Sequence, residues 1–206
     1  MTAATQPRQG PAEAFRFVTC ASEALLKVER KAVAGLMMLL TGLIMLNVVT
    51  RYSGLPLYWV DEASIYTVVW LTFVGASAMS RLRLDFSVTL LTERLSPAQA
   101  KVARVISTAL LVFFGGALAA MCWVWMDPVG IAAAGFDARE HAAQTFNFLY
   151  TEQTQTLRWP TWLVSLIMPI FALSLVVHGL ANLLEDLEWV TPPVREASLG
   201  SAEGVS

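Results

Sequence analysis

Four long stretches of this chain contain no Asp, Glu, Lys or Arg, and they constrain the fold more than any other feature. They cover residues 32–50, 63–80, 105–126 and 159–184. A helix rises about 1.5 Å per residue, so each stretch is long enough to cross a hydrocarbon core of roughly 30 Å. We therefore expect an all-α membrane protein with four transmembrane helices, over about 32–50, 61–80, 102–126 and 159–184.

The segments outside these spans divide into two ends and one long loop. Residues 1–31 are expected to form a cytoplasmic tail and an amphipathic helix, which places Phe15, Ser22 and Leu25 on one side. Such a helix can lie in the headgroup plane, which we favour, or simply extend the first span. Residues 127–158 form an outward loop, in which Asp137 predicts the start of a short helix. The composition of residues 186–206 indicates a disordered cytoplasmic tail.

The distribution of basic residues predicts the orientation of the spans. Ten of them lie before the first span or between the second and third spans, and Arg195 lies in the tail. The opposite side carries three: Arg51, Arg139 and Arg158. Because cytoplasmic loops carry the excess of Lys and Arg, we expect both termini in the cytoplasm.

Chemistry-bearing residues are scarce in the spans. The four charge-free stretches hold no acid or base except His178, and the only other histidine, His141, lies in the outward loop. A lone histidine in a span can bind haem or relay a proton, but we favour a hydrogen-bonded residue near the helix end. We find no nucleophile–base pair, no metal-ligand cluster and no phosphate loop. The sequence therefore predicts neither an enzyme nor a cofactor site, and it lacks the basic patch that nucleic acid requires.

The second span is expected to carry the partner interface. One face of this span holds aromatic rings and a carboxylate, and Gly75 on the other face lets a second helix come close. Trp70 and Phe73 lie deeper than an interfacial aromatic belt, which favours packing against protein over contact with lipid. The candidate interface residues are Trp59, Glu62, Tyr66, Trp70, Phe73 and Gly75.

Charged residues near the ends of the second span suggest two further roles. Arg51 and Glu62 flank the turn that joins the first two spans, and we expect them to form a structural pair. Arg81 and Arg83 close the second span, and we interpret them as cytoplasmic anchors.

The chain resembles the small membrane subunit, of DctQ type, of the tripartite ATP-independent periplasmic (TRAP) transporters. The resemblance covers most of residues 30–185 and rests on order and spacing. The matching features are Asn47, Arg51, Tyr52, Trp59, Asp61, Glu62, Trp70, Gly75, Ala76, the run 81–84 and the segment 157–162. The chain departs from the family where a histidine and an aspartate usually follow the arginines. Asp85 and Thr89 stand there instead, so no role of that histidine carries over.

The resemblance implies a role within a larger machine. A large membrane subunit carries the substrate with sodium ions, and a periplasmic binding protein delivers an organic acid. The small subunit braces the large one in a bacterial inner membrane and helps to form the docking surface. Two other hypotheses stay open at this stage: a membrane anchor of a redox enzyme with His178 as haem ligand, and a stand-alone transporter. The missing midplane charges count against the second.

Overall fold

The computed structural model describes residues 12–83 and 96–191, with side chains from residue 15 onward. Its helices are α1 (Ala12–Tyr52), α2 (Tyr58–Leu82), α3 (Pro97–Met126), α4 (Pro128–Ala133), α5 (Ala138–Thr145), α6 (Thr161–Ser165) and α7 (Ile167–Asp186). Within this part of the chain no strand forms, and one isolated bridge pairs Gln153 with Pro160. Asp85 and Thr89, where the sequence departs from the family pattern, lie outside the described residues. So does most of the predicted tail.

Four segments of the described chain are long and apolar enough to cross a membrane, which confirms the predicted all-α fold with four such helices. They cover Phe15–Tyr52, Tyr58–Leu82, Pro97–Ala133 and Thr161–Asp186. The second begins at Tyr58, directly after the turn that reverses the chain. Which side each terminus occupies stays a prediction.

The amphipathic segment at the N-terminus is present, but its placement differs from the one we favoured. It is the first part of α1, a single helix of 41 residues and about 60 Å. Residues 12–34 contain neither glycine nor proline, so nothing in this segment favours a kink. A helix that turned from the headgroup plane into a span would have to break. The segment therefore extends the first span, which was the alternative interpretation.

The central helix of the bundle is α7. Helices α1 and α2 pack against each other and against α7, while α3 packs mainly against α7 on its far side. Two glycines permit the α3–α7 contact. A methyl group on Gly115 would lie 3.1 Å from Val176 Cγ2, and one on Gly179 would lie 2.7 Å from Val112 Cγ2. The bundle is thus a triangle of three helices with a fourth attached along one side.

The last span is interrupted near its start. Helix α6 ends at Ser165 and α7 begins at Ile167. Pro169 lacks the N–H that would bond to the Ser165 carbonyl, and its ring crowds that carbonyl. The helix is therefore interrupted about one turn before the proline, as this geometry requires.

The outward loop is folded back onto the end of α3. Asp127 caps α4 by accepting from the Gly130 N–H at 2.9 Å, and its other oxygen lies 3.0 Å from His141 Nε2. Tyr150 donates its hydroxyl to the Met126 carbonyl at 2.6 Å. Asp137 accepts from the first N–H groups of α5, which confirms the predicted cap. These bonds give the loop a defined shape.

Candidate functional site

The aromatic face of α2 lines two open grooves that meet near the middle of the bundle. The outer groove has a volume of about 440 Å³ and the inner groove about 480 Å³. Leu36 of α1 and Trp70 of α2 border both of them. Trp59 and Tyr66 line the outer groove, and Phe73 lines the inner one. The structure therefore brings four of the predicted interface residues onto one apolar surface.

Two of these aromatic rings already have partners within the chain. Trp70 donates its indole N–H to the Val164 carbonyl at 3.1 Å, and this carbonyl lies in the short helix α6. The rings of Phe73 and Phe171 are 5.1 Å apart in a tilted arrangement. Such pairs stabilise helix packing beyond the area that they bury. Trp70 and Phe73 hold α2 to the last span, whereas Trp59, which is 40% exposed, has more surface left for another protein.

Gly75 belongs to a different surface of α2. Apart from its neighbours in the helix, no atom of the described residues lies within 4 Å of the position that its Cβ would occupy. It borders a stripe of exposed residues on the same side of the helix: Ile65, Val68, Thr72, Ala76 and Met79. Small residues in an exposed transmembrane stripe allow another helix to approach closely. Gly75 therefore lies on a second face of α2, apart from the aromatic face, as the sequence indicated.

Glu62 binds the tip of the outward hairpin formed by residues 152–161. Its Oε1 accepts from the Gln155 N–H at 2.8 Å, and its Oε2 accepts from the N–H groups of Thr156 at 2.7 Å and Leu157 at 2.8 Å. The Thr156 hydroxyl donates to the same oxygen. Bonds from several donors to one carboxylate are among the stronger hydrogen bonds in proteins. Glu62 is therefore a structural clamp between α2 and the hairpin.

The expected pair between Arg51 and Glu62 is not the one that the structure contains. Arg51 Nη2 lies 2.8 Å from Asp61 Oδ2, and its Nε donates to Asn47 Oδ1 at 2.8 Å. Asn47 in turn donates to Asp61. Adjacent residues on a helix point about 100° apart, so Asp61 faces the end of α1 while Glu62 faces the hairpin.

A buried polar network joins α1, α2 and α7 at the other end of the bundle. His178 Nδ1 lies 2.7 Å from Ser22 Oγ, and its Nε2 lies 2.9 Å from Glu29 Oε2. The Ser77 hydroxyl donates to the second oxygen of Glu29 at 2.7 Å. His178 and Ser22 are fully buried and Glu29 is nearly so. Each of the three helices contributes a polar side chain to one contact.

Arg81 extends this network by one helical turn. Its Nη2 lies 2.7 Å from Glu185 and 2.8 Å from Glu23, and its Nη1 donates to Asn182. The side chain of Arg81 has no exposed surface, so it is an interior ion pair and not the surface anchor that the sequence suggested. Arg83 is partly exposed and pairs with Asp186 at 2.7 Å.

The geometry supports the interpretation of His178 as a hydrogen-bonded residue. Both ring nitrogens have hydrogen-bond partners within the bundle, although His178 lies inside α7 and not at its end. Iron would need one of them as a ligand. Sequence reasoning missed Glu29 as the partner. The signal was available, since Glu29 lies on the same face of α1 as Ser22 and Leu25.

Two groups outside the spans have shifted pKa values. Lys101 Nζ lies 2.6 Å from Glu188 Oε1, and this hydrogen bond and the lysine charge lower the pKa of that carboxyl. Burial raises the pKa of the Tyr150 phenol, and the nearby Asp127 charge adds to the effect. Neither group lies on the grooves of α2, so both serve local structure.

A comparison with protein families matches residues 40–188, from the middle of α1 to just beyond α7. The family is described as the DctQ component of the tripartite ATP-independent periplasmic transporters. Neither a characterised protein nor a solved structure matches the chain. The matched region includes the Glu62 clamp and the residues that α2 and α7 contribute to the grooves and to the buried network, whereas Ser22 and Glu29 precede it. With most of its length matched and four helices fit to cross a membrane, the chain belongs to the DctQ family, the small membrane subunits of TRAP transporters.

Proposed function

We propose that this chain braces the large membrane subunit of a sodium-coupled TRAP transporter and has no transport site of its own. The observation that carries the proposal is where its charges lie. Asp61 and Glu62 are bound at one end of the bundle, and Glu29, Arg81 and His178 are bound at the other. The stretches between them contain no acid or base. Solute and ion sites of secondary transporters usually lie at this midplane level.

The large subunit binds along the open surfaces of α1 and α2. Two features support this assignment: the apolar groove beside Trp59 and Tyr66, and the stripe around Gly75. Trp59 is 40% exposed and the residues of the stripe are exposed, and both surfaces run along the membrane-crossing part of α2. Membrane helices associate through two kinds of surface. One presents rigid aromatic rings with a polar group at the edge, and the other presents small residues that leave room for a second helix.

The outward loop contacts a periplasmic binding protein that delivers an organic acid. Its described part exposes three phenylalanines, of which Phe136 is 76% and Phe146 is 80% exposed. Both of these hold the left-handed backbone conformation, with φ of 63° and 56°. Bulky residues rarely adopt that conformation, and when they do it often marks a functional surface.

We place both termini in the cytoplasm of a bacterium, because the excess of basic residues lies on that side.

Flux measurements in vesicles test the proposal. Vesicles that contain this chain alone, the large subunit alone, or both, are given labelled dicarboxylates and sialic acid with a sodium gradient and the binding protein. We expect uptake when both subunits are present and none with this chain alone. Uptake by this chain alone would contradict a bracing role.

A further inference from the structure

Three basic side chains lie together on one exposed face of α1. Lys27, Arg30 and Lys31 fall within five residues, and all three are exposed. None of them forms an ion pair or hydrogen bond through its side chain with the described residues. The nearest acid in the sequence, Glu29, cannot neutralise them, because it points into the bundle and binds His178. The basic cluster, defined as these three residues, therefore has no counter-charge within the described chain.

The basic cluster and the buried polar residues of α1 lie on different faces of the same helical turns. At 100° per residue, Lys27 and Lys31 lie about half a turn away from Glu29, and Arg30 lies about 100° away from it. That second face is fixed against α7 and α2 by the buried network. Because this contact fixes the rotation of α1, the basic cluster must point away from α2 and α7.

The position of the cluster along α1 corresponds to the headgroup level of a bilayer. Lys31 and Arg51 are 20 residues apart in one unbroken helix, which corresponds to about 30 Å. This distance matches the hydrocarbon thickness of a typical bilayer. About two turns beyond the cluster, α1 exposes apolar side chains, with Met37 at 52% and Met38 at 72%. The face therefore presents cations at headgroup level and apolar groups at acyl-chain level.

We propose that the basic cluster binds the phosphate of an anionic phospholipid, whose acyl chains lie along the exposed methionines. Lys and Arg suit this role because their long stems bring charged donors to a phosphate while they cover apolar surface. The match of charge followed by apolar surface, in the order found in a lipid, favours a lipid over an acidic protein surface. The inference does not depend on which side of the membrane the N-terminus occupies or on the identity of the large subunit.

Lipid titration of the purified full chain tests this site. The chain in mild detergent is titrated with phosphatidylglycerol or phosphatidylcholine of identical acyl chains, and bound lipid is counted by native mass spectrometry. Each base near an anionic surface contributes roughly fivefold in affinity, so the three together contribute on the order of a hundredfold. We expect the unmodified chain to prefer phosphatidylglycerol, and added salt to reduce that preference.

Two variants separate charge from other properties of the face. The triple variant Lys27→Gln, Arg30→Gln, Lys31→Gln should lose the preference. The charge-conserving variant Lys27→Arg, Arg30→Lys, Lys31→Arg should retain it, and Lys31→Gln alone should be intermediate. Equal binding of the two lipids to the unmodified chain would overturn the proposal. So would a glutamine variant that keeps its lipid preference but loses a co-purifying protein, since the cluster would then serve a protein contact.

Discussion

Glu29 and His178, which are 149 residues apart in the sequence, meet at 2.9 Å in the interior of the bundle. One belongs to the extended N-terminal part of α1 and the other to the central helix α7. Ser22 and Ser77 complete their hydrogen bonds, so the contact joins three helices. It lies at the level of the basic cluster, where the bundle leaves the hydrocarbon. The contact thus fixes both the direction and the rotation of α1.

Breaking this contact should destabilise the bundle strongly. His178→Ala leaves Glu29 buried without its partner, and loss of one member of a buried pair typically costs about 3–5 kcal/mol. The double variant Glu29→Leu, His178→Leu should be less destabilised than Glu29→Leu or His178→Leu alone, because it leaves no buried charge. Denaturant unfolding in detergent measures the difference, with the exposed Glu152→Ala as the control for loss of an acid. Equal stability of His178→Ala and Glu152→Ala would refute the interior role of the pair.

Arg81 should tolerate no other side chain, including lysine. Its guanidinium binds Glu23, Glu185 and Asn182 from one buried position, and a lysine ammonium lacks the planar fork for three partners. We expect Arg81→Lys to lower the melting temperature and Arg81→Ala to lower it further. Arg83→Lys is the matched control, because Arg83 is one-third exposed and its ion pairs are partly solvated. Similar melting temperatures for the Arg81 and Arg83 lysine variants would argue against a special role for Arg81.

Glu62 should control the outward hairpin and little else. Glu62→Gln replaces a charged carboxylate, which accepts from the N–H groups of Gln155, Thr156 and Leu157, with a neutral amide. The backbone hydrogen bonds of α2 itself are kept. Hydrogen exchange of the amides at 155–157 should become clearly faster, since a bond to a charged acceptor is stronger than a bond to a neutral one. Asp61→Asn, the adjacent acid, loses its Arg51 contact and should leave these amides protected. Equal exchange in both variants would show that Glu62 does not hold the hairpin.

A substitution at Gly75 should affect association with the large subunit and leave folding of this chain unchanged. Beyond its own helical neighbours, nothing in the part of the chain that the structure describes lies within 4 Å of its Cβ position, so Gly75→Leu should not reduce the stability of the isolated subunit. It should abolish or strongly weaken co-purification of the large subunit, because leucine fills the space that a second helix needs. Gly116→Leu is the control, since that glycine is also open but lies on α3. Retention of the large subunit by Gly75→Leu would exclude this stripe as the interface.

The parts of this structure that follow local patterns could be predicted from the sequence. Charge-free length predicted four spans, and Asp137 predicted the start of α5 because a cap needs only neighbouring residues. The absence of glycine and proline near residue 31 also carried information, and it indicated that α1 continues into the membrane. Giving that signal more weight than the amphipathic pattern would have led to the observed helix.

The pairings between distant residues could not be predicted in the same way. Glu62 binds residues that follow it by more than ninety positions, and no local rule distinguishes them from Arg51 as partners. Arg81 has the appearance of a positively charged span end, and only the packing of α1 and α7 around it makes it an interior residue. In both cases the helix order along the chain was known, but the rotation of each helix about its axis was not.

The most direct test of the bracing role is to purify the tagged chain from its native membranes in mild detergent and to identify what accompanies it. The account predicts a large multi-span membrane protein that remains bound, and its loss in the Gly75→Leu variant but not in Gly116→Leu. Recovery of the chain alone under conditions in which it stays folded, or with the protein components of a redox enzyme, would contradict the account.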